Sequence, residues 1–436
     1  MRSVLIVDEA FFPLDEELAL LSGALTPTLQ DGLARLGSWL PFARAAELLF
    51  VLCKVQVSEA TARRQSEQAG AAYVAVQEEE VEHLLKELPA APPGPDKQLL
   101  SVDGAMVPLV GGEWTEAKTL VLGVIEERRG KQREQGVHVR ELSYFSRVSE
   151  ASEFQRAALV ETQRRGVENA GCVIAPLDGA EWEQKFLDYH RADAVRILDF
   201  AHAAEYLGKI GAALWGLGTP TTQAWLNATL HTLKEEGPAA VLPKVRALLT
   251  SGAPSADALG CLEYLEKREA QMRYPLYQAQ GWPIGSGAVE SANKVVVEAR
   301  LKGAGMHWAR THVNPMLGLR NAVCNDRWAE AWPQISNHRR QEQGQRREAR
   351  YQQRHAPLSL SIPQQDVPGN SLSGAVTFTA VSVQPPPASV SPAADPVSQT
   401  ALPRQPWRPP PNHPWRKFRF GKSRFQKTPA KSTAKL

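Results

Sequence analysis

The chain has 436 residues, 43% of them hydrophobic and 22% charged, which is the balance of a globular protein with real cores and length enough for two or three domains. Its formal net charge of +3 hides an asymmetry: residues 401–436 hold ten Lys and Arg and no acid, so the remainder carries 40 basic against 47 acidic residues. No apolar run approaches the roughly 20 residues of a membrane span, and MRSVLIVDEAFF is broken by Asp8 and Glu9, so neither anchor nor export signal is expected. Cys53, Cys172, Cys261 and Cys324 lie far apart without metal-ligand spacing, which argues against zinc and for free thiols in a reducing cytoplasm.

Residues 1–90 are helix-rich. Within SWLPFARAAELLFVLCKVQVSEATARRQSEQAGAA two helices are expected around a turn near Lys54 to Val57, the second capped by Ser58. This is the outline of a helix-turn-helix, with Arg63 and Arg64 turned outward toward phosphates or bases; an αα-hairpin with a polar outer face has the same sequence pattern.

After the linker LPAAPPGPDK come three strand-like runs, LLSVDGAMVPLV, AKTLVLGVIEE and HVRELSYFSRVS. A helix (SEASEFQRAALVETQRRGVENAG), a strand (CVIAPL), a helix from about Ala180 to His190 and a strand (AVRIL) follow. The order βββαβαβ predicts a mixed α/β core, whose first part spans 98–204. Residues 205–280 read as an all-α insertion, and 281–338 return to the core. From 339 to 436 a basic, Pro/Ser-rich tail with Trp407, Trp415, Phe418, Phe420 and Phe425 among its cations is expected to be disordered when free.

Three acids stand out by position. Asp103 falls inside the first strand, because apolar alternation continues through Ala105 to Leu109 rather than turning at Asp-Gly. Asp178 ends the fourth strand, where it could equally cap the next helix. Glu290 follows the glycine turn PIGSG; it misses a capping box with Ser286 by one residue, and Lys294, Val297 and Leu301 share its helical face. Asp199 and His202 read alternatively as an N-cap and a first-turn polar residue. Acids that converge at one edge of such a sheet can hold two hard divalent cations through oxygen, an arrangement suited to in-line displacement at phosphorus.

With these motifs, SVDGAMVPL, APLDGAEW, LDFAHAAEYL and PIGSGAVESANKVVVEARLKGAGMHW, the chain resembles bacterial insertion-sequence transposases of the DDE type, closest to the Kra-type (ISKra-like) group related to Mutator-like transposases. The likeness runs from about Phe12 to His338. It implies a ribonuclease H-like core and a catalytic triad of Asp103, Asp178 and Glu290 that binds two Mg²⁺, with Mn²⁺ as a substitute. It also implies an accessory DxxH pair, Asp199 and His202, that helps position DNA near the cleavage site. A competing alignment makes Asp199 the second acid; Asp178 is preferred because it ends the fourth strand and DxxH lies downstream. Relatives commonly carry a cysteine-rich element before the counterpart of FFPLDEEL, and this sequence starts too late to include it.

The implied activity is metal-dependent cleavage of DNA phosphodiester bonds and strand transfer at terminal inverted repeats, by a homo-oligomer assembled on DNA beside a bacterial nucleoid. Arg63, Arg64, Lys294, Arg300, Lys302 and, in the tail, Arg416, Lys417 and Arg419 are the expected DNA contacts. A DNA-binding protein without catalysis, and a nuclease of the same core without strand transfer, are the alternatives.

Overall fold

Thr26 and Ser58 each open a helix by the chemistry their side chains carry. A computed structural model describes residues 25–127, 137–251 and 255–355. Helix α1 (Pro27–Trp39) has Thr26 as N-cap and proline in its first turn. Helix α2 (Phe42–Cys53) ends on Lys54 in the left-handed region, φ 58°. Ser58 then accepts the amide of Thr61 at 3.1 Å to start α3 (Glu59–Glu87). The two helices and the link between them therefore fall where the sequence puts them, and Arg63 and Arg64 are exposed.

A long strand, β1 (Lys97–Pro108), pairs antiparallel with β2 (Trp114–Glu127), which pairs antiparallel with β3 (Val137–Arg147). The predicted long helix after β3 is two short ones, α4 (Ala151–Ala157) and α5 (Leu159–Arg164). Strand β4 (Cys172–Leu177) runs parallel to β1; α6 (Glu181–His190) leads to β5 (Val195–Leu198), parallel to β4. The sheet order is β3-β2-β1-β4-β5, a mixed five-stranded sheet.

Side chains alternate across β1, and this sorts them onto two faces. Leu100 and Val102 join Leu120, Phe145, Val173 and Leu177 beneath Phe154 and Phe186 of the crossover helices. Leu99 faces the other way, against Ile174, Ile197, Leu207 and Ile210. Ala105 and Val107, on that second face by their odd positions, meet Val296, Val297 and Leu301. Asp103 shares their parity, so strand geometry alone turns it toward the later helices.

Those helices are α7 (Phe200–Trp215), α8 (Pro220–Glu235), α9 (Pro238–Thr250), α10 (Ala256–Lys267) and α11 (Tyr274–Ala279), all-helical as expected for the insertion. The return begins with α12 (Gly287–Ala292), continues as a π-helical turn, Asn293–Glu298, and closes with one α-turn, Ala299–Leu301. Helix α13 (Arg310–Cys324) packs along α3, where a Cβ on Gly70 would come within 2.0 Å of the Pro315 carbonyl oxygen; only glycine allows the two backbones so close. Helix α14 (Trp328–His355) carries the chain well beyond residue 338, so the first part of the expected tail is helical. Arg416, Lys417 and Arg419 lie outside the described residues. No helix among the described residues is long and apolar enough to cross a membrane.

Candidate active site

Asp103 sits in mid-strand, opposite Thr119 of β2. Its Oδ1 accepts the amide of Gly104 at 2.6 Å and its Oδ2 accepts the side-chain amide of Asn293 at 2.9 Å. Burial raises its pKa to about 6 against those two donors, and the charges of Asp178 and Glu290 push the same way. Asp178 follows the last residue of β4. Burial raises it also, His202 opposes, and Asp199, Glu290 and Glu205 add to the rise. Its Oδ2 lies 4.0 Å from Nδ1 of His202.

Glu290 is exposed in the first turn of α12, with its backbone N–H bonded to the Ser286 carbonyl at 3.2 Å. The fold thus gathers Asp103, Asp178 and Glu290 into one electrostatic neighbourhood from β1, the end of β4 and the helix after the insertion. Among the described residues, no group of three or more His, Cys, Asp or Glu forms a site that could hold a metal ion. The donor set fits a hard divalent cation in kind: carboxylates whose like charges act on Asp103 and Asp178, beside Oδ1 of Asn293, a buried oxygen without a hydrogen-bond partner.

Asp199 has a different occupation. One carboxylate oxygen accepts the His202 amide at 2.8 Å and caps α7; the other accepts the Ser286 amide at 2.5 Å. The Phe200 amide donates to the Ile284 carbonyl at 2.9 Å. Together these bonds lash the PIGSG turn to the end of β5 and so set where α12 begins. A carboxylate that is buried and committed to two backbone amides is a structural brace.

The helical face read through Glu290 is only partly regular. Val297 and Leu301 are buried as expected, while Glu290 and Lys294 remain exposed, and the π-helical turn lies between. Such a turn leaves carbonyls without their usual α-helical donors. Buried Arg320 supplies donors to two of them, Val295 at 2.5 Å and Val296 at 3.2 Å.

Among the expected DNA contacts, Arg300 must be corrected. It is 1% exposed, donates to the Gly37 carbonyl at 2.9 Å, and its guanidinium lies 4.6 Å from the Phe42 ring centroid and 5.0 Å from that of Trp308. The missing solvation lowers its pKa to about 10. It is a core cation, not a phosphate contact. Lys302 is exposed and pairs with Glu298 at 2.9 Å.

Sequence reasoning missed Glu183. It is 2% exposed, and its Oε2 accepts the amides of Gly179 and Ala180 at 2.9 and 3.0 Å. Burial first, then the Asp178 charge, raises it to about 8. Its place three residues after Ala180, the helix N-cap, was the available signal, the acidic half of a capping box without its Ser or Thr. Asn293 was missed as well; its spacing of three from Glu290 was the clue. No protein-family model matches the chain, and no curated protein matches it.

Proposed function

We propose that the chain is a DDE-type transposase with a ribonuclease H-like core, which binds the ends of an insertion sequence and cleaves and joins DNA. The observation that carries this reading is the mutual charge interaction of Asp103 on β1, Asp178 just after β4 and Glu290 on α12, around a β3-β2-β1-β4-β5 sheet, with an all-α segment between the second and third acid.

Asp103, Asp178 and Glu290 would hold the cations, and two bound Mg²⁺ or Mn²⁺ would supply Lewis acidity toward the attacking and leaving oxygens. The chain's own residues do the rest. Asn293 and the Gly104 amide orient the Asp103 carboxylate. His202, in the first turn of α7 with Nδ1 4.0 Å from Oδ2 of Asp178, would help to position DNA near the cleavage site. Arg63, Arg64, Lys294 and Lys302 offer exposed cations to phosphates, and the helix-turn-helix reading of α2 and α3 supplies their context.

The test uses the full chain with duplexes bearing the element's own labelled ends. Metal-dependent nicks with free 3′-hydroxyls and their joining to a second duplex are expected. Cleavage without joining would make the protein a nuclease, and binding without cleavage in either metal would make it a DNA-binding protein.

A further inference from the structure

We infer that the all-α insertion positions the second acid, through Tyr264 and Arg268; this rests on the metal-site reading of Asp178. Asp178, Gly179 and Ala180 form the short link between β4 and α6, and its peptide groups are held from both edges. The Tyr264 hydroxyl donates to the Asp178 carbonyl at 2.5 Å. Arg268 donates twice to the Gly179 carbonyl, from Nε at 2.9 Å and Nη2 at 2.5 Å. On the opposite edge Glu183 accepts the amides of Gly179 and Ala180.

The clamp is itself built. The Arg268 guanidinium lies 3.7 Å from the Tyr264 ring centroid, and Tyr264 stacks on Tyr206 of α7 at 4.0 Å with 7° between ring planes. Arg268 is buried. Gly179 has φ +82°, and a Cβ there would stand 2.6 Å from the Tyr264 hydroxyl and 2.7 Å from Arg268 Nε, so this backbone conformation and the clamp fit together only with glycine. Both residues come from the end of α10 and the residue just after it, 86 to 89 residues downstream of the carbonyls they hold.

Neither side chain donates to the Asp178 carboxylate. They fix the backbone from which it projects, and this leaves only side-chain torsions to bring it toward the like charges of Asp103 and Glu290. Tyr264 and Arg268 are therefore positioning residues, and the insertion is part of the site rather than a separate attachment.

The experiment compares full-length wild type with Tyr264→Phe, Arg268→Lys and Arg268→Ala. Mn²⁺ alone is titrated and the free ion followed by its electron paramagnetic resonance signal; cleavage of a labelled duplex is measured in parallel. Outer-shell losses of about 10- to 100-fold are typical, and Tyr264→Phe should weaken Mn²⁺ binding and lower kcat by about 10-fold with KM for DNA and melting temperature near wild type. Arg268→Ala should lose more, and Arg268→Lys should recover part of it. Folded Tyr264→Phe and Arg268→Lys proteins with wild-type Mn²⁺ affinity and kcat would overturn the inference. If Arg268→Ala fails to fold, Tyr264→Phe, which deletes one hydroxyl, decides. A wild type that binds Mn²⁺ but cleaves no DNA overturns the transposase reading while the Mn²⁺ comparison still judges the clamp; one that binds no Mn²⁺ overturns both.

Discussion

Asn293 donates its side-chain amide to Oδ2 of Asp103 at 2.9 Å, joining the helical segment of Glu290 to a strand 190 residues earlier. The Gly104 amide holds the other oxygen, so the carboxylate has a defined orientation. Hydrogen bonds to a charged group contribute about 1.5–3 kcal/mol, and Asn293→Ala should lower single-turnover cleavage by about 10- to 100-fold with DNA affinity unchanged. Asn293→Asp, which adds a like charge at the same place, should lose more. Equal cleavage by wild type and Asn293→Ala would remove Asn293 from the site.

Asp178 and Asp199 are separable by what each change breaks. Asp103→Ala, Asp178→Ala and Glu290→Ala should abolish metal-dependent cleavage and keep DNA binding within about twofold, because phosphate contacts and metal ligands are different groups. Asp199→Ala removes a helix cap and the brace on Ser286. It should cost about 1–3 kcal/mol of stability in denaturant melts. Cleavage retained in Asp178→Ala and lost in a fully stable Asp199→Ala would reverse the assignment.

Glu183 predicts a pH dependence of stability. Its pKa, raised from 4.5 to about 8, means that the folded chain holds the proton more tightly than the unfolded one. The associated stability is fully present below the unfolded value and is lost as pH rises toward about 8. Glu183→Gln keeps an acceptor for the Gly179 and Ala180 amides and cannot ionise. Its melting temperature relative to wild type should rise between about pH 5 and about pH 9; a flat difference across that range would contradict the burial argument.

Arg300 and Lys302 should behave oppositely despite their closeness in sequence. Arg300→Ala empties a buried site between two aromatic rings and strips the Gly37 carbonyl of its donor, which should cost about 2–4 kcal/mol. Lys302→Ala, on an exposed side chain, should leave stability within about 0.5 kcal/mol. It should weaken DNA binding and make the slope of affinity against salt shallower by about one. A stable Arg300→Ala protein with weakened DNA binding would restore Arg300 as a phosphate contact.

Most elements were readable because each rests on local chemistry. Ser58 caps α3 with its own hydroxyl, and the alternation through Ala105 to Leu109 kept Asp103 in a strand despite the Asp-Gly pair it forms with Gly104. The π-helical turn was not readable. Its stability depends on Arg320 donating to the Val295 and Val296 carbonyls from another helix, and no pattern within NKVVVE reports a distant donor. Arg300 misled for a similar reason: a cation beside Lys302 reads as surface until Phe42, in a helix far upstream, is found against it.

The candidate site divides along the same line. Sequence alone determined which acids lie at strand ends and helix starts, because periodicity and capping are short-range consequences of backbone geometry. Tertiary structure alone decided that Asp199 is bound up by two backbone amides while Asp178 keeps a partly exposed carboxylate, and that Asn293, Glu183, Tyr264 and Arg268 surround the acids. The reason is physical: a carboxylate's availability depends on which donors the packed chain brings to it, and the Ser286 amide that occupies Asp199 arrives from 87 residues away.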